Sequence, residues 1–113
     1  MRVLVCGGRE YHEHNRLVSV LDDLDKIYNF TQVISGDAKG VDLMALAWAK
    51  SRGIPCMMFK ADWERWGNAA GPMRNREMVE AKPELVIAFP GYRGTADMTR
   101  QAEKANIKVL RVS

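Results

Sequence analysis

Five short apolar runs, separated by stretches long enough to hold a helix, constrain the fold of this chain more than anything else in it. They occupy residues 3–6, 31–34, 56–59, 85–89 and 108–112. The first, Val3-Leu4-Val5-Cys6, is continuous rather than alternating and closes on Gly7-Gly8, the pattern of a strand covered on both faces. Between the runs, spacing predicts helices over residues 15–28, over 40–52, from Pro72 to no later than Lys82, and over 95–106. In the first helix Leu17, Val18, Leu21, Leu24 and Ile27 share one face, with Asp22, Asp23, Asp25 and Lys26 largely opposite. The second is alanine-rich, so it can lie close on a sheet, and it stops at Gly53 with Pro55 just beyond. The third opens on Pro72, a good first-turn residue, and ends before Pro83; Met73, Met78 and Val79 are its core positions. The stretch between the third run and Pro72 reads as a loop.

The order βαβαβαβαβ implies an α/β fold: a three-layer α/β/α, Rossmann-like domain with right-handed crossovers and helices on both faces. A five-stranded parallel sheet in the order 3-2-1-4-5 is expected. Its reversal between strands 1 and 4 opens a crevice at the carboxyl ends of the strands. With 113 residues, 47% of them hydrophobic, there is one domain, residues 1–113, and a real core. The net charge of +3 and a pI near 9.0 suit an anionic ligand without demanding nucleic acid. The composition excludes a disordered tail, a collagen-like repeat, a disulfide scaffold and an integral membrane protein. The opening Met-Arg-Val-Leu-Val-Cys is too short for a secretory core, and a cytoplasmic protein is the expectation. Cys6 and Cys56, without partners at zinc spacing, are expected to be buried reduced thiols.

Four loops leave the carboxyl ends of the strands, and unusual residues gather there. In Gly7-Gly8-Arg9-Glu10-Tyr11, Gly8 allows close approach to backbone N–H groups, Arg9 can clamp a phosphate or carboxylate, and Tyr11 can stack on a base. An ordinary turn with two surface side chains explains the loop equally well. In Ser35-Gly36-Asp37-Ala38-Lys39-Gly40-Val41-Asp42, small residues lead into a helix whose free N–H groups point into the crevice. Gly36 and Gly40 are the candidate amide donors. Asp37 would repel phosphate unless aimed at hydroxyl or amino groups. Asp42 either complements the helix dipole or accepts from a ribose hydroxyl. The third stretch, residues 61–76, interleaves Trp63 and Trp66 with charge and ends in Arg74-Asn75-Arg76 at a helix start, a base-and-phosphate clamp. Both arginines sit where the dipole disfavours cations, and only one of the two need face inward. In Pro90-Gly91-Tyr92-Arg93-Gly94-Thr95, Thr95 is the expected N-cap with its hydroxyl open to a phosphate, and Gly91 and Gly94 supply amides. His12 and His14 flank Glu13, but no further ligand stands at a metal-site spacing, and no metal is expected.

The strings CGGREY, SGDAKGVDLMALAWA, ADWERWGNAAGPMRNREMV and AFPGYRGTADMTRQAEKANIKVL resemble the YspA-related branch of the SLOG superfamily, named for the DNA-processing Smf/DprA proteins and the LOG phosphoribohydrolases. The resemblance covers essentially the whole chain and implies a Rossmann-like fold that binds nucleotides or nucleotide-derived ligands. LOG enzymes carry P-G-G-x-G-T-x-x-E, whose glutamate serves catalysis; here that position is Met98. Asp97, one residue away, is displaced by about 100° round the helix. Arg76 falls where LOG has its functional arginine. Tyr92 and Asp37 stand where relatives often have glycine.

The leading expectation is therefore a binding or sensing module for AMP, ADP-ribose or a NAD-like ligand, requiring no cofactor. Arg9, Arg74 and Arg76 would hold phosphate, and Trp63 or Tyr11 would form an aromatic wall. Asn75 belongs to the same clamp. The first alternative is an N-glycosidic hydrolase of nucleoside monophosphates, with Arg76 and Asp97 as candidate catalytic residues and Glu77 as a second carboxylate. The second is DprA-like single-stranded DNA binding, which the modest net charge disfavours. A homodimer is expected, with no membrane partner.

Overall fold

In the computed structural model, which describes residues 1–113, the apolar runs pair into one all-parallel sheet. The elements follow as β1 (Arg2–Cys6), α1 (His14–Tyr28), β2 (Gln32–Gly36), α2 (Val41–Ser51), β3 (Cys56–Phe59), α3 (Trp63–Trp66), a 3₁₀ turn (Gly67–Ala69), α4 (Ala70–Glu80), β4 (Leu85–Ala88), α5 (Arg93–Lys104) and β5 (Lys108–Arg111). The strand order is β3-β2-β1-β4-β5, the order the alternation implies. Two cores explain the continuous runs. Val3, Val5, Val33, Leu85 and Ile87 turn one way, onto Leu17 and Leu21 of α1 and Val41, Ala45, Trp48 and Ala49 of α2. Leu4, Cys6, Ile34, Val86 and Ala88 turn the other way, onto Met78 of α4 and Met98 and Ala102 of α5. Successive residues of β1 and β4 thus meet a helical layer on either side, and in β2 the buried polar Ser35 is satisfied, its hydroxyl donating to the Val5 carbonyl at 2.7 Å.

The first two crossovers therefore lie on one face and the last two on the other. The connections that leave β1 and β4 diverge, and this positions the crevice. At their base the two loops are tied together: the Gly8 N–H donates to the Pro90 carbonyl at 2.9 Å. Gly40 closes the third side. It has φ +78°, and a Cβ on it would run into the Gly8 carbonyl oxygen. That position tolerates only glycine, for both backbone shape and space.

Several boundaries and burials differ from expectation. Ile27 is 72% exposed, because the buried stripe of α1 runs through Leu17, Leu21, Leu24 and Tyr28, which pack on the core, and Ile27 lies beside it. Cys6 is buried, whereas Cys56 is exposed, since β3 is an outermost strand of the sheet. Met73 is exposed on the outer side of α4, while Met78 is core and Val79 half-buried. The stretch before Pro72 is helical, not a loop: Asp62 accepts from the Arg65 N–H at 3.1 Å and caps α3. Pro72 is consequently the third residue of α4, still within the turn whose N–H groups lack partners. Thr95 is not an N-cap. The tight turn from β4 starts α5 at Arg93, with the Ala96 N–H already bonded to the Tyr92 carbonyl at 2.9 Å, so Thr95 lies inside the first turn. No helix is long and apolar enough to cross a membrane.

Urea unfolding tests this layering. Leu4→Ala should lose about 3 kcal/mol through the cavity it leaves. Gly40→Ala should lose about 2 kcal/mol or more from strain, and Ile27→Ala should stay within about 0.5 kcal/mol of the parent. A large loss at Ile27 or none at Gly40 contradicts it.

Candidate functional site

The crevice is a cavity of about 560 Å³ over the carboxyl ends of β1 and β4. Its floor is apolar: Cys6 ends β1, and Met78 and Met98 reach it from α4 and α5. Burial pushes the Cys6 thiol up to about 12, so it stays protonated and is no nucleophile. The walls come from widely separated segments. Arg9 and Glu10 follow β1, Asp42 lies in the first turn of α2, and Trp63 opens α3. Arg74 and Asn75 come from α4; Arg93, Gly94, Thr95 and Asp97 come from α5.

Three parts of this wall have distinct chemistry. The first is the start of α5, where the N–H groups of Arg93, Gly94 and Thr95 precede any intrahelical partner and carry the positive end of the dipole. A Cβ placed on Gly94 would meet nothing within 4 Å, so that face is open. Asn75 fixes the turn from behind, its side-chain amide donating to the Gly94 carbonyl at 3.2 Å. The second is aromatic: the Arg9 guanidinium lies 5.4 Å from the Trp63 ring centroid, and Trp63 is 45% exposed.

The third is a buried charge cluster. Arg74, 9% exposed, donates from Nη1 to Asp37 at 3.1 Å and from Nε to the Asn75 side-chain oxygen at 3.2 Å. Asp42, also buried, accepts the Ala38 N–H at 3.3 Å. Gly36 makes room for this cluster. A Cβ there would lie 2.6 Å from Asp42 Oδ2 and would strike Arg74 Nη1. Burial raises the Asp42 carboxyl from its ordinary 3.8 to about 6, although neighbouring Arg74 and the Ala38 N–H pull it down. Asp97, by contrast, is fully engaged. It accepts from Asn75 at 3.0 Å, from Gln101 at 2.9 Å and from Arg100 at 2.8 Å.

The residues singled out in the sequence fall into two groups. Gly8, Arg9, Asp42, Trp63, Arg74, Asn75, Gly94, Thr95 and Asp97 line the cavity. Gly36, Asp37, Gly40 and Gly91 support it from behind: Asp37 holds Arg74, and the glycines let neighbouring loops touch. Gly8 lines the wall, yet its N–H is committed to Pro90 and is not a free donor. Arg76 lies outside the crevice. It stands two residues, about 200°, round the helix from inward-facing Arg74, is 76% exposed, and faces Glu80 at 3.7 Å. Glu77 is likewise exposed. Tyr11 leaves the crevice too: it packs on Phe89 with ring centroids 5.6 Å apart, and its hydroxyl is buried without a partner. Spacing alone did not identify Glu10, Asn68 or Arg93 as wall residues. Arg93 stands next to Gly94, and a helix start one turn earlier than the threonine cap would have placed it. No group of three or more His, Cys, Asp or Glu side chains is placed to hold a metal ion.

Residues 1–66 match the model of the family YAcAr, described as the YspA, cpYpsA-related SLOG family. The chain is 35% identical over 117 residues to the Gene 61 protein of Mycobacterium phage D29, across 96% of this chain and 94% of that protein. Among solved structures, the phosphoribosylglycinamide formyltransferase purN of Coxiella burnetii, in complex with CHES, superposes with a TM-score of 0.49 at 15% identity. That superposition covers 82% of this chain but only 42% of the formyltransferase, a likeness too distant to argue from.

The charge cluster has a pH signature. Because the folded-state pKa of Asp42, about 6, exceeds its ordinary 3.8, the native state binds the proton more tightly. This contribution to stability is therefore present at low pH and falls as pH rises from near the lower value to near the upper one. Asp42→Asn should remove that slope, seen as the difference in urea midpoints between variant and parent across the acid range. Parallel curves would contradict the buried carboxyl.

Proposed function

Because the chain belongs to the YspA, cpYpsA-related SLOG family, we propose that its crevice binds a nucleotide or nucleotide-derived ligand, such as AMP, ADP-ribose or a NAD-like molecule, as a binding or sensing module. One observation carries the proposal: a cation-and-indole pair, an open helix start and a buried carboxyl, from three separate parts of the chain, face a single cavity. Each part suits one part of such a ligand. The amides of Arg93, Gly94 and Thr95 accept a phosphate. Trp63, with Arg9 beside it, offers a face to a base. Asp42, ionised above its pKa of about 6, accepts from ribose hydroxyls. A volume of about 560 Å³ is of the size that small-molecule sites occupy.

Binding without turnover is the better reading because the carboxylates are ill placed for glycosidic chemistry. Met98 holds the position where LOG has its glutamate, and a thioether neither activates water nor stabilises an oxocarbenium ion. Asp97 has its oxygens occupied by three donors. The hydrolase reading keeps one observation in its favour. Asp42 faces the cavity with a proton affinity near neutrality, the property that a general acid or base needs. Release of free base from AMP, abolished by Asp42→Asn, would establish that reading. Single-stranded DNA binding fits least, since Glu10, Asp42 and Asp97 offset Arg9, Arg74 and Arg93 along the same wall.

Isothermal titration with ADP-ribose, NAD and AMP tests the proposal. At least one should bind, Arg9→Ala and Trp63→Ala should each weaken it about tenfold or more, and Arg76→Ala should leave it unchanged. No binding at millimolar ligand, or a loss confined to Arg76→Ala, would contradict it.

A further inference from the structure

The two edges of the sheet are built differently. The β5 edge exposes Lys108 and Arg111, the latter paired with Glu103 at 3.0 Å, and such charges discourage another strand from adding there. The β3 edge, Cys-Met-Met-Phe, carries no charge. Met57 is 41% exposed and Met58 45%, and Leu43 of α2, which packs on β3, is 47% exposed. An apolar, unguarded edge is a template for strand pairing.

From this edge we infer that the protein forms a twofold homodimer in which β3 of one copy pairs antiparallel with β3 of the other, continuing the sheet across the interface. The register with β2 supplies the reason. The Val33 N–H donates to the Pro55 carbonyl at 2.9 Å, and Val33 stands opposite Cys56 and Ser35 opposite Met58. The backbone groups of residues 55, 57 and 59 therefore point toward β2, and those of Cys56 and Met58 point to the free edge. A twofold axis through Met57, perpendicular to the sheet, brings Cys56 against the partner's Met58, so that each outward N–H finds a carbonyl. The same axis keeps every side chain on its proper face. Cys56 and Met58 share the α2 side in both copies, and Met57 meets the partner's Met57 on the α4 side. Lys60 falls opposite the partner's Ile54, so no like charges oppose. A four-residue strand pair alone is small for a stable dimer, which needs about 800 Å² per partner. Leu46 of α2, half-buried with its carbonyl 3.7 Å from the Cys56 thiol, adds apolar area on the α2 face.

Sedimentation equilibrium of the full chain tests the inference. The expected mass is twice 12.8 kDa, and Met58→Lys, a change at a solvent-facing position, should raise the dimer dissociation constant by about tenfold or more. A second readout does not depend on that variant. With Cys56→Ser and Met57→Cys combined, mild oxidation should give a covalent dimer, because residue 57 faces its own copy in a non-hydrogen-bonded pair where Cβ atoms come closest. Buried Cys6 does not compete. A monomer at millimolar concentration, a dimer indifferent to Met58→Lys, or failure of the residue-57 cross-link would each overturn the inference.

Discussion

Coverage of the strands on both faces is the constraint from which the rest follows. β1, at the centre of the sheet, is buried from Val3 to Cys6, and so is the whole of β4. Helices must then be laid on both sides, two per face. The chain changes face between β3 and β4, and the connections leaving β1 and β4 part company where those strands end. The crevice is thus a by-product of hydrophobic burial, present before any residue is chosen for chemistry. What the sequence adds is its furniture: a hydrogen bond from Gly8 to Pro90 across the base, and α3 laid over one rim.

Inside the crevice, charge is balanced rather than piled up. Arg74 is held by Asp37 and lies beside Asp42, so the most buried guanidinium of the site is already partnered. Its contribution is to fix the wall and to hold down the proton affinity of Asp42, which burial raises. Arg9 and Arg93 are exposed and free to meet a ligand. This arrangement favours a guest that combines a negative group with hydroxyls over a plain polyanion, since hydroxyls can donate to Asp42 while an anion seeks the α5 amides.

Much of the fold was legible because its signals were redundant. Continuous apolar runs, glycine and proline punctuation and amphipathic spacing all agreed on element order, and the order 3-2-1-4-5 followed from connection rules. The site was legible only to the level of loops. Which residues of a loop face inward depends on where the next helix begins, and spacing does not fix that start at either decisive place. A threonine that looks like a cap is an interior residue of α5, and Arg93 moved into the wall as a result. A segment rich in tryptophan, glycine and asparagine is helical because Asp62 caps it and because Trp63 packs against Gly71, at 3.4 Å from a Cβ built there. Pattern could say that one of Arg74 and Arg76 faces inward, but only the packing against Gly36 and Asp37 decides for Arg74. Asp42 illustrates the converse. Its position in a first helical turn suggested dipole complementation, and only burial reveals a carboxyl with an altered proton affinity.

The central claim is that a nucleotide-like guest sits between Trp63 and the start of α5. Backbone and side-chain NMR of the nitrogen-labelled protein, titrated with ADP-ribose, addresses it directly. The account predicts that the largest shifts fall on the amides of Arg93, Gly94 and Thr95, the Trp63 indole and the Arg9 guanidinium, with Arg76 and Arg100 unmoved. Shifts centred on Arg76 and Arg100, or spread evenly over the surface, would contradict it.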